Sequence, residues 1–256
     1  MTSPGSVIFV AVLGAMVGSF LNVCIYRLPI GKSIVWPASA CAKCGRLLAW
    51  FENIPIVSWT LLRGRCRTCK KPISGRYPLV ESLTALMFAA AWWYYGPTWL
   101  FVSRILFGCA LIVLFAIDLE HFLLPDRITL PGIVVGFLIS AFTGNPGWMS
   151  SLIGIVAGGG FLWLLAEVWS RLRNVEAMGF GDVKMLAMIG AFLGWRLTFV
   201  SVLLGTFVGS ALGLALILSK RGGLQTMLPF GTFLALGAGL AATVGQALLD
   251  WYSKFL

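Results

Sequence analysis

Long runs of apolar residues, separated by short polar or Gly- and Pro-bearing stretches, form the pattern of this chain. About 20 consecutive apolar residues are enough for a helix to cross a bilayer. The pattern predicts eight such segments, and the break between the sixth and the seventh is marked only by Gly194-Trp195-Arg196. Their approximate bounds are residues 7–26, 78–95, 98–117, 128–143, 150–170, 183–195, 197–219 and 226–250. The fold class predicted is therefore an all-α polytopic membrane protein with about eight transmembrane helices.

The composition agrees with a bilayer environment. Of the 256 residues, 59% are hydrophobic and 11% are charged, so the apolar side chains exceed what one water-soluble core can bury. The chain has 30 glycines, and several recur at four-residue spacing, as in Gly14/Gly18 and Gly205/Gly209/Gly213. Small residues at this spacing let helices approach closely in lipid, so we interpret these glycines as packing positions.

The stretch between the first two segments, residues 27–77, is polar and strongly basic. It contains one acid, Glu52, and ten basic residues, which supply most of the formal net charge of +10. The basic residues are Arg27, Lys32, Lys43, Arg46, Arg63, Arg65, Arg67, Lys70, Lys71 and Arg76. Basic loops stay on the cytoplasmic side, so this loop is predicted to be cytoplasmic and the N-terminus to lie outside. Contact with anionic membrane lipid explains the same charge, and no nucleic-acid partner is expected.

Four cysteines of this loop form two Cys-x2-Cys pairs. Cys41 and Cys44 make the first pair, and Cys66 and Cys69 make the second. This spacing is typical of a four-thiolate zinc ribbon, and a reducing cytoplasm disfavours disulfides. A loop with few apolar side chains also needs such a cross-link to fold. Four thiolates close the coordination sphere, so the zinc is expected to be structural.

The segments and the loop together predict three parts of the chain. Residues 1–26 form the first transmembrane helix, residues 27–77 a small cytoplasmic zinc-ribbon-like domain with four cysteine ligands, and residues 78–256 a seven-helix membrane domain. The chain is thus expected to cross the membrane several times, with its largest soluble part between the first two helices.

Two carboxylates mark the predicted cytoplasmic ends of different segments. Asp118 ends segment three, and Asp182 begins segment six behind Gly179-Phe180-Gly181, in a chain with only nine acids. An ionised Asp in hydrocarbon costs about 3 kcal/mol on insertion scales, so both are functional candidates. The predicted topology places them at the same membrane depth, where they can meet. Two carboxyl groups about 3 Å apart share one proton and can activate water against a peptide carbonyl, as in aspartic proteases.

Four further residues are candidates for supporting roles. Gly179 and Gly181 lack a Cβ, which lets a substrate strand lie close to the backbone beside Asp182. Glu81, near the start of segment two, is a candidate for holding substrate. Lys184 is interpreted as reaching to the headgroups, with an influence on the ionisation of the two aspartates as the alternative. The other acids near the interface are interpreted as a helix cap, Asp126, and as solvated residues, Glu120 and Glu176.

With these residues placed, the chain resembles the bacterial type IV prepilin peptidases, which are membrane aspartic proteases of the Gly-x-Gly-Asp kind. The motifs that carry the resemblance span nearly the whole chain. In the first half they are Gly18-Ser19-Phe20-Leu21-Asn22-Val23, Tyr26-Arg27-Leu28-Pro29, Glu52-Asn53-Ile54-Pro55, the paired Cys motifs and Arg76-Tyr77-Pro78-Leu79-Val80-Glu81. In the second half they are Asp118 with Leu124-Pro125-Asp126, Gly179-Phe180-Gly181-Asp182-Val183-Lys184 and Pro229-Phe230-Gly231.

The resemblance implies a function. By it, Asp118 and Asp182 are the catalytic pair of an endopeptidase in the bacterial inner membrane, with the active site facing the cytoplasm. The implied substrates are prepilins of type IV pili and pseudopilins of type II secretion, cut after a glycine that precedes their apolar helix. Members with the Cys-bearing loop commonly also methylate the new N-terminus with S-adenosylmethionine. One departure is Thr232, which stands where the family more usually has proline, and it concerns the local backbone and not the chemistry.

Two other classes of function compete on the residues alone. Paired carboxylates also couple proton movement in transporters, but such a protein would need an aqueous path to the outer face. Paired Cys-x2-Cys motifs also suit a thiol oxidoreductase. Proton uptake by vesicles would favour the first alternative, and a redox-active disulfide in place of bound zinc would favour the second.

Overall fold

The computed structural model describes residues 3–173, 179–219 and 228–255. Over these ranges the chain forms α-helices and two short 3-10 helices, and its only β pairing is two isolated bridges in the Cys-bearing loop. The α-helices of this part of the chain are α1 (Pro4–Arg27), α2 (Val57–Leu61), α3 (Arg76–Tyr95), α4 (Trp99–His121), α5 (Asp126–Thr143), α6 (Trp148–Arg173), α7 (Phe180–Leu218) and α8 (Phe230–Tyr252). The prediction of an all-α fold is confirmed.

Six of the described helices, α1 and α4 to α8, are long and apolar enough to cross a membrane. Predicted segment two corresponds to α3, which has 20 residues and carries Arg76 and Glu81 near its start. Predicted segments six and seven lie together in α7, which has 39 residues. Gly194 interrupts α7 with φ 73° and ψ 169°, a backbone conformation that suits glycine, so the predicted break is present as a kink. The chain is a multi-pass membrane protein.

The chain folds as two compact units, Met1–Ile105 and Leu106–Leu256. In the first unit α1 packs against α3. A Cβ on Gly18 would lie 2.7 Å from the Cα of Glu81, and one on Gly14 would lie 2.8 Å from the Cβ of a phenylalanine in α3. These two glycines of α1 therefore let the helices approach nearly backbone to backbone, as their spacing predicts.

In the second unit α7 packs against α5, α6 and α8. The closest approaches again use glycine. Gly190 of α7 lies directly against the carbonyl of Gly154 in α6, and Gly237 of α8 lies against the backbone of Ser201 in α7. A buried cluster of large apolar side chains fills the remaining space, including Phe107 and Phe192, whose rings are 5.0 Å apart. This packing fixes the positions at which α7 and α8 begin, and those positions carry the site.

Candidate functional site

One end of the second unit brings the ends of four helices together. Asp118 lies in the last turn of α4, and the chain then turns and begins α5 at Asp126. The helices α7 and α8 begin at Phe180 and Phe230, so Asp182 and Thr232 are each the third residue of a helix. The N–H groups in the first turn of a helix have no acceptor within that helix, so such positions are ready to bind carboxylates.

Asp118 is anchored by α8. Its side chain is buried, with 5% of the residue exposed, and its Oδ2 accepts two hydrogen bonds from Thr232. The backbone N–H of Thr232 donates over 2.6 Å and the hydroxyl Oγ1 donates over 3.0 Å. A buried carboxylate is costly unless hydrogen bonds compensate for the water it has lost. The first turn of α8 therefore supplies both the position and the solvation of this carboxyl group.

Asp182 is buried as well, with 9% of the residue exposed. Its backbone N–H donates to the carbonyl of Gly179 over 3.1 Å, which starts α7. The surroundings of the two carboxyl groups converge on one side chain, because Gly181, which precedes Asp182, and Gly231, which faces Asp118 Oδ2, both lie against Leu124. Among the described residues no donor reaches the Asp182 carboxyl group. The structure thus brings together the two aspartates that the sequence places at one depth, and we call Asp118 and Asp182 the acid pair.

Leu124, in the turn between α4 and α5, fills the space beside the acid pair. A Cβ on Gly181 would lie 2.9 Å from the Cβ of Leu124. One on Gly231 would lie 2.9 Å from Leu124 Cδ1 and 3.0 Å from Asp118 Oδ2. The room beside Gly181 is therefore taken by this leucine and not left open for a substrate strand. Gly179 is exposed, and a Cβ there would meet only Asp182 Oδ2, at 3.8 Å.

Lys184 forms an ion pair across the same end of the unit. Its Nζ lies 2.7 Å from both carboxylate oxygens of Asp126, the first residue of α5. The same Nζ lies 5.3 Å from the centre of the Phe180 ring. Instead of reaching out to headgroups, Lys184 links the beginnings of α5 and α7. Asp126 neutralises its charge, which weakens any direct effect of Lys184 on the acid pair.

Glu81 belongs to the first unit and is buried, with 6% of the residue exposed. Its Oε2 accepts a hydrogen bond of 2.7 Å from the backbone N–H of Ile56. Ile56 has φ 62°, a conformation that is unusual for a β-branched residue. Glu81 thus holds a strained turn of the Cys-bearing loop against α3. Of the interfacial acids, Glu120 lies 4.0 Å from His121, and Glu176 lies outside the described residues.

The four predicted metal ligands Cys41, Cys44, Cys66 and Cys69 form one group, which we call the cysteine cluster. Their Sγ atoms all lie within 4.8 Å of one another, and those of Cys41 and Cys69 are 3.9 Å apart. Zinc with four thiolates at about 2.3 Å in a tetrahedron requires sulfur atoms about 3.8 Å apart. The four cysteines can therefore hold a metal ion, and their geometry suits zinc.

Each half of the cysteine cluster is a closed turn. The N–H of Cys41 donates to the carbonyl of Arg46, and the N–H of Cys66 donates to the carbonyl of Lys71, both over 2.9 Å. The residue after the second cysteine has a left-handed backbone in both turns, with φ 72° at Gly45 and φ 57° at Lys70. The two Cys-x2-Cys pairs thus adopt the same local fold, although only the first has glycine at the left-handed position.

Sequence reasoning missed two polar residues near these sites. Glu52 accepts 2.6 Å and 2.9 Å hydrogen bonds from Arg46 Nη2 and the Ala49 N–H, and the Arg46 guanidinium holds the pKa of its carboxyl below the ordinary value. The sequence signal for Glu52 was that it is the one acid in a strongly basic loop. Thr232 was noted only as a departure in the backbone, yet its hydroxyl lies on Asp118. The sequence did carry a signal, because the proline more usual at this position has no N–H, whereas threonine offers a backbone N–H and a hydroxyl as donors.

The fold and the site define a helical membrane protein with a buried acid pair at one end of its helices and a separate four-thiolate metal site in its N-terminal unit. Comparison with known families agrees with this class. Residues 12–95 match the bacterial peptidase A24 N-terminal domain, and residues 105–214 match the type IV leader peptidase family.

Individual relatives extend over the same residues. The prepilin leader peptidase/N-methyltransferase of Aeromonas hydrophila is 38% identical over 261 residues, which cover 93% of this chain and 90% of the relative. The protein of that name in Pseudomonas aeruginosa is 35% identical over 266 residues, with 95% and 92% covered, and the one in Myxococcus xanthus is 41% identical over 220 residues, with 86% and 66% covered. No solved structure matches the chain. The chain belongs to the type IV leader peptidase family.

Proposed function

We propose that this protein is a prepilin leader peptidase and N-methyltransferase in which Asp118 and Asp182 are the catalytic residues. Membership of the leader peptidase family and the names of the relatives support the activity. The observation that carries the catalytic assignment is the buried acid pair, formed by residues from the end of α4 and the start of α7. The same family membership favours the peptidase over the transporter and oxidoreductase alternatives.

The acid pair supports cleavage by direct attack of water. The ionised carboxylate takes a proton from a water molecule, whose oxygen bonds to the carbonyl carbon of the scissile peptide. The protonated partner donates a hydrogen bond to the carbonyl oxygen, on which negative charge develops. When the carbon–nitrogen bond breaks, the leaving amine takes up a proton, and the pair again shares one proton. No covalent intermediate is required.

The topology fits substrates whose basic leader stays in the cytoplasm. The end of the second unit that holds the acid pair also carries Arg127, at the start of α5, and Arg171, at the end of α6. By the positive-inside rule, these basic residues and the basic loop of residues 27–77 support a cytoplasmic location for the acid pair in a bacterial inner membrane. We infer that residues 78–256 form the membrane protease part and that prepilins and pseudopilins are cut at its cytoplasmic face. Gly179, exposed beside Asp182, is the position in this motif where a substrate strand can approach.

Two further components belong to the proposal. The cysteine cluster holds structural zinc, which cross-links the two Cys-x2-Cys turns of a cytoplasmic domain formed by residues 27–77. S-adenosylmethionine would supply the methyl group for the new N-terminal amine of the product. Lys184 and Glu81 act indirectly in this scheme, because one pairs with Asp126 and the other holds the backbone of Ile56.

The proposal is tested by co-expression of a prepilin with the wild-type protein and with the variants Asp118→Asn and Asp182→Asn. We expect the wild type to remove the leader and leave a methylated N-terminus, detected by mass measurement of the product. Each variant should insert into the membrane at the normal level and leave the leader in place, because acid–base groups contribute about 10²- to 10⁴-fold each. The matched control is Asp250→Asn, at the far end of α8, which should cleave normally. Normal processing by either active-site variant would contradict the proposal.

A further inference from the structure

Thr232 is a buried polar residue that lies immediately after the Pro229-Phe230-Gly231 motif. Only 3% of the residue is exposed, and both of its donors point to the same atom, Asp118 Oδ2. The other oxygen of Asp118, Oδ1, receives no hydrogen bond from the described residues. The Asp118 carboxyl group is therefore held at Oδ2. Its other oxygen, Oδ1, is left available to accept a proton from water and a hydrogen bond from a protonated Asp182.

The two members of the acid pair differ in the number of hydrogen bonds that their carboxyl groups accept. Asp182 has no donor to its carboxyl group among the described residues, whereas Asp118 has two. Each hydrogen bond to a charged group favours the charged form by about 10-fold or more, and a helix N-terminus favours it by about 2-fold to 5-fold. Asp182 lies in the first turn of α7, and the carboxyl group of Asp118 contacts the first turn of α8, so the N-terminal effect nearly cancels between them. Asp118 itself lies in the last turn of α4, where the helix dipole disfavours its charge by a similar factor of about 2-fold to 5-fold, which is less than two hydrogen bonds contribute. The direct hydrogen bonds decide, and they favour a charge on Asp118.

Charged groups on the helices that begin at this end of the unit do not change the preference for a charge on Asp118 over Asp182. On α7 the titratable residues of the first turns are Asp182 and Lys184, and the second is paired with Asp126 at the start of α5. Arg127, the next residue of α5, is exposed to solvent. On the described part of α8, no titratable residue precedes Asp250.

Charged groups on α4 do not change the preference for a charge on Asp118 either. Glu120 and His121 follow Asp118 in the chain, and both side chains are exposed, so water screens their charges. A cation close to Asp182 would be needed to move the charge onto that residue. The one basic side chain in the first turns of α7, Lys184, is already neutralised by its partner on α5.

We propose that Thr232 is a positioning residue that fixes Asp118 Oδ2 and keeps Asp118 the ionised, proton-accepting member of the acid pair, with the shared proton on Asp182. This inference rests on the proposed peptidase function. It gives the two aspartates separate roles: Asp118 takes the proton from water, and Asp182 donates to the carbonyl oxygen of the substrate. Proline at this position would have neither an N–H nor a hydroxyl, so this chain holds its aspartate by a contact that proline cannot make.

Three substitutions at Thr232 test the positioning role in the full-length protein reconstituted in lipid, with a prepilin as substrate. Thr232→Val keeps the volume but removes the hydroxyl, and kcat should fall about 10-fold while KM changes less than about 2-fold. Thr232→Ser restores the hydroxyl and should recover kcat to within about 3-fold of the wild type. Thr232→Pro removes both donors and should lower kcat about 100-fold, in a helix turn that tolerates proline.

The matched control is Thr198→Val. Thr198 is also buried, in α7, but its hydroxyl donates to the carbonyl of Gly194 and not to a carboxylate. We expect this variant to keep the wild-type kcat. The positioning role is overturned if Thr232→Val keeps full kcat, if Thr232→Ser is as impaired as Thr232→Val, or if Thr198→Val is equally impaired. The valine and serine variants decide the matter even where the proline variant does not fold.

The same assay separates this inference from the proposed function. If the wild type does not cleave, or Asp118→Asn cleaves normally, the peptidase proposal itself fails. If the wild type cleaves, Asp118→Asn does not, and Thr232→Val is unimpaired, only the role of Thr232 fails.

Infrared spectroscopy of the reconstituted protein locates the proton. The carbonyl stretch of a protonated carboxyl group should disappear in Asp182→Asn, in which Asp118 stays ionised, and persist in Asp118→Asn. The opposite result, with the band lost in Asp118→Asn and retained in Asp182→Asn, would overturn the assignment.

Discussion

The cysteine cluster and the acid pair both join residues that are distant in the sequence, but they are supported differently. Each half of the cysteine cluster closes on itself within six residues through a backbone hydrogen bond, as between Cys41 and Arg46. The acid pair has no such local turn around Asp118, whose hydrogen-bond donor, Thr232, is 114 residues away. The metal site is built from two repeated local units, and the acid pair depends on how four helix ends pack.

Because of this difference, the cysteine cluster should contribute mainly to the stability of the protein and the acid pair mainly to its activity. A structural zinc site contributes folding free energy directly, because the bound metal is absent from the unfolded chain. A buried acid pair costs free energy, and the surrounding helices must stabilise it. Damage to the cysteine cluster should therefore appear first as loss of structure in the loop. Damage beside the acid pair should appear first as loss of catalysis in a protein that remains folded.

The largest effect is expected from removal of the metal. Cys44→Ser should abolish stoichiometric zinc and unfold the Cys-bearing loop, because structural zinc sites contribute on the order of 10 kcal/mol. Zinc content by elemental analysis and amide hydrogen exchange over residues 40–72 measure the two effects. Cys109→Ala, in α4 and outside the cluster, is the control and should keep its zinc. Purified wild-type protein without zinc would refute this expectation.

A methyl group beside the acid pair should cost activity while the fold persists. In Gly231→Ala the new Cβ would lie 3.0 Å from Asp118 Oδ2 and 2.9 Å from the end of Leu124, so both side chains must shift. A displacement of a few tenths of an ångström should lower kcat about 10-fold, with little change in thermal stability. The control is Gly239→Ala in the same helix, where no atom lies within 4 Å of the added Cβ. Equal activity of the two variants would show that Asp118 tolerates the shift.

The two turns of the cysteine cluster offer a paired test of backbone strain. Lys70 occupies the left-handed position that glycine occupies in the first turn, and a side chain there costs about 1 kcal/mol. Lys70→Gly should stabilise the zinc-bound loop by about 0.5–1 kcal/mol, and Gly45→Ala should destabilise it by a similar amount. Amide exchange of the loop measures both. Changes of the same sign in the two variants would contradict the equivalence of the turns.

The smallest effect is expected from the ion pair between α5 and α7. Lys184→Met should lower stability by about 0.2–1 kcal/mol, because Asp126 is half exposed and water screens the pair. Asp126→Asn should have a similar effect, and the double variant should cost less than the sum of the two. Thermal unfolding of the three variants measures the coupling. A loss of cleavage far beyond the loss of stability would instead indicate a direct part for Lys184 in the reaction.

Signals carried by neighbouring residues made much of this architecture predictable. The apolar runs indicated the helices, the kink at Gly194 follows from one glycine, and the cysteine cluster follows from the spacing of its members. The spacing of Gly14 and Gly18 indicated close packing, although it could not name α3 as the partner. Each of these features depends on periodicity or on one residue type, which a single sequence displays directly.

The contacts that sequence reasoning missed join residues whose meeting depends on tertiary packing. Lys184 was expected at the headgroups because its partner, Asp126, lies 58 residues away at the start of another helix. Gly181 was expected to leave room for substrate, but a turn residue, Leu124, occupies that room. Thr232 was expected to affect only the local backbone, because the sequence does not show that the start of α8 meets the end of α4. Helix ends converge only after the whole bundle is assembled, so no local pattern indicates which of them meet.

The kink at Gly194 also bears on how Asp182 is reached within the membrane. From Phe180 to Gly194 the first arm of α7 rises by about 21 Å at 1.5 Å per residue, while the hydrocarbon layer of a bilayer is about 30 Å thick. This arm is buried against α5 and α6 along nearly its whole length, so protein and not lipid surrounds it. The arm therefore does not have to match the thickness of the layer, and a polar leader peptide would have to reach Asp182 between helices and not through lipid.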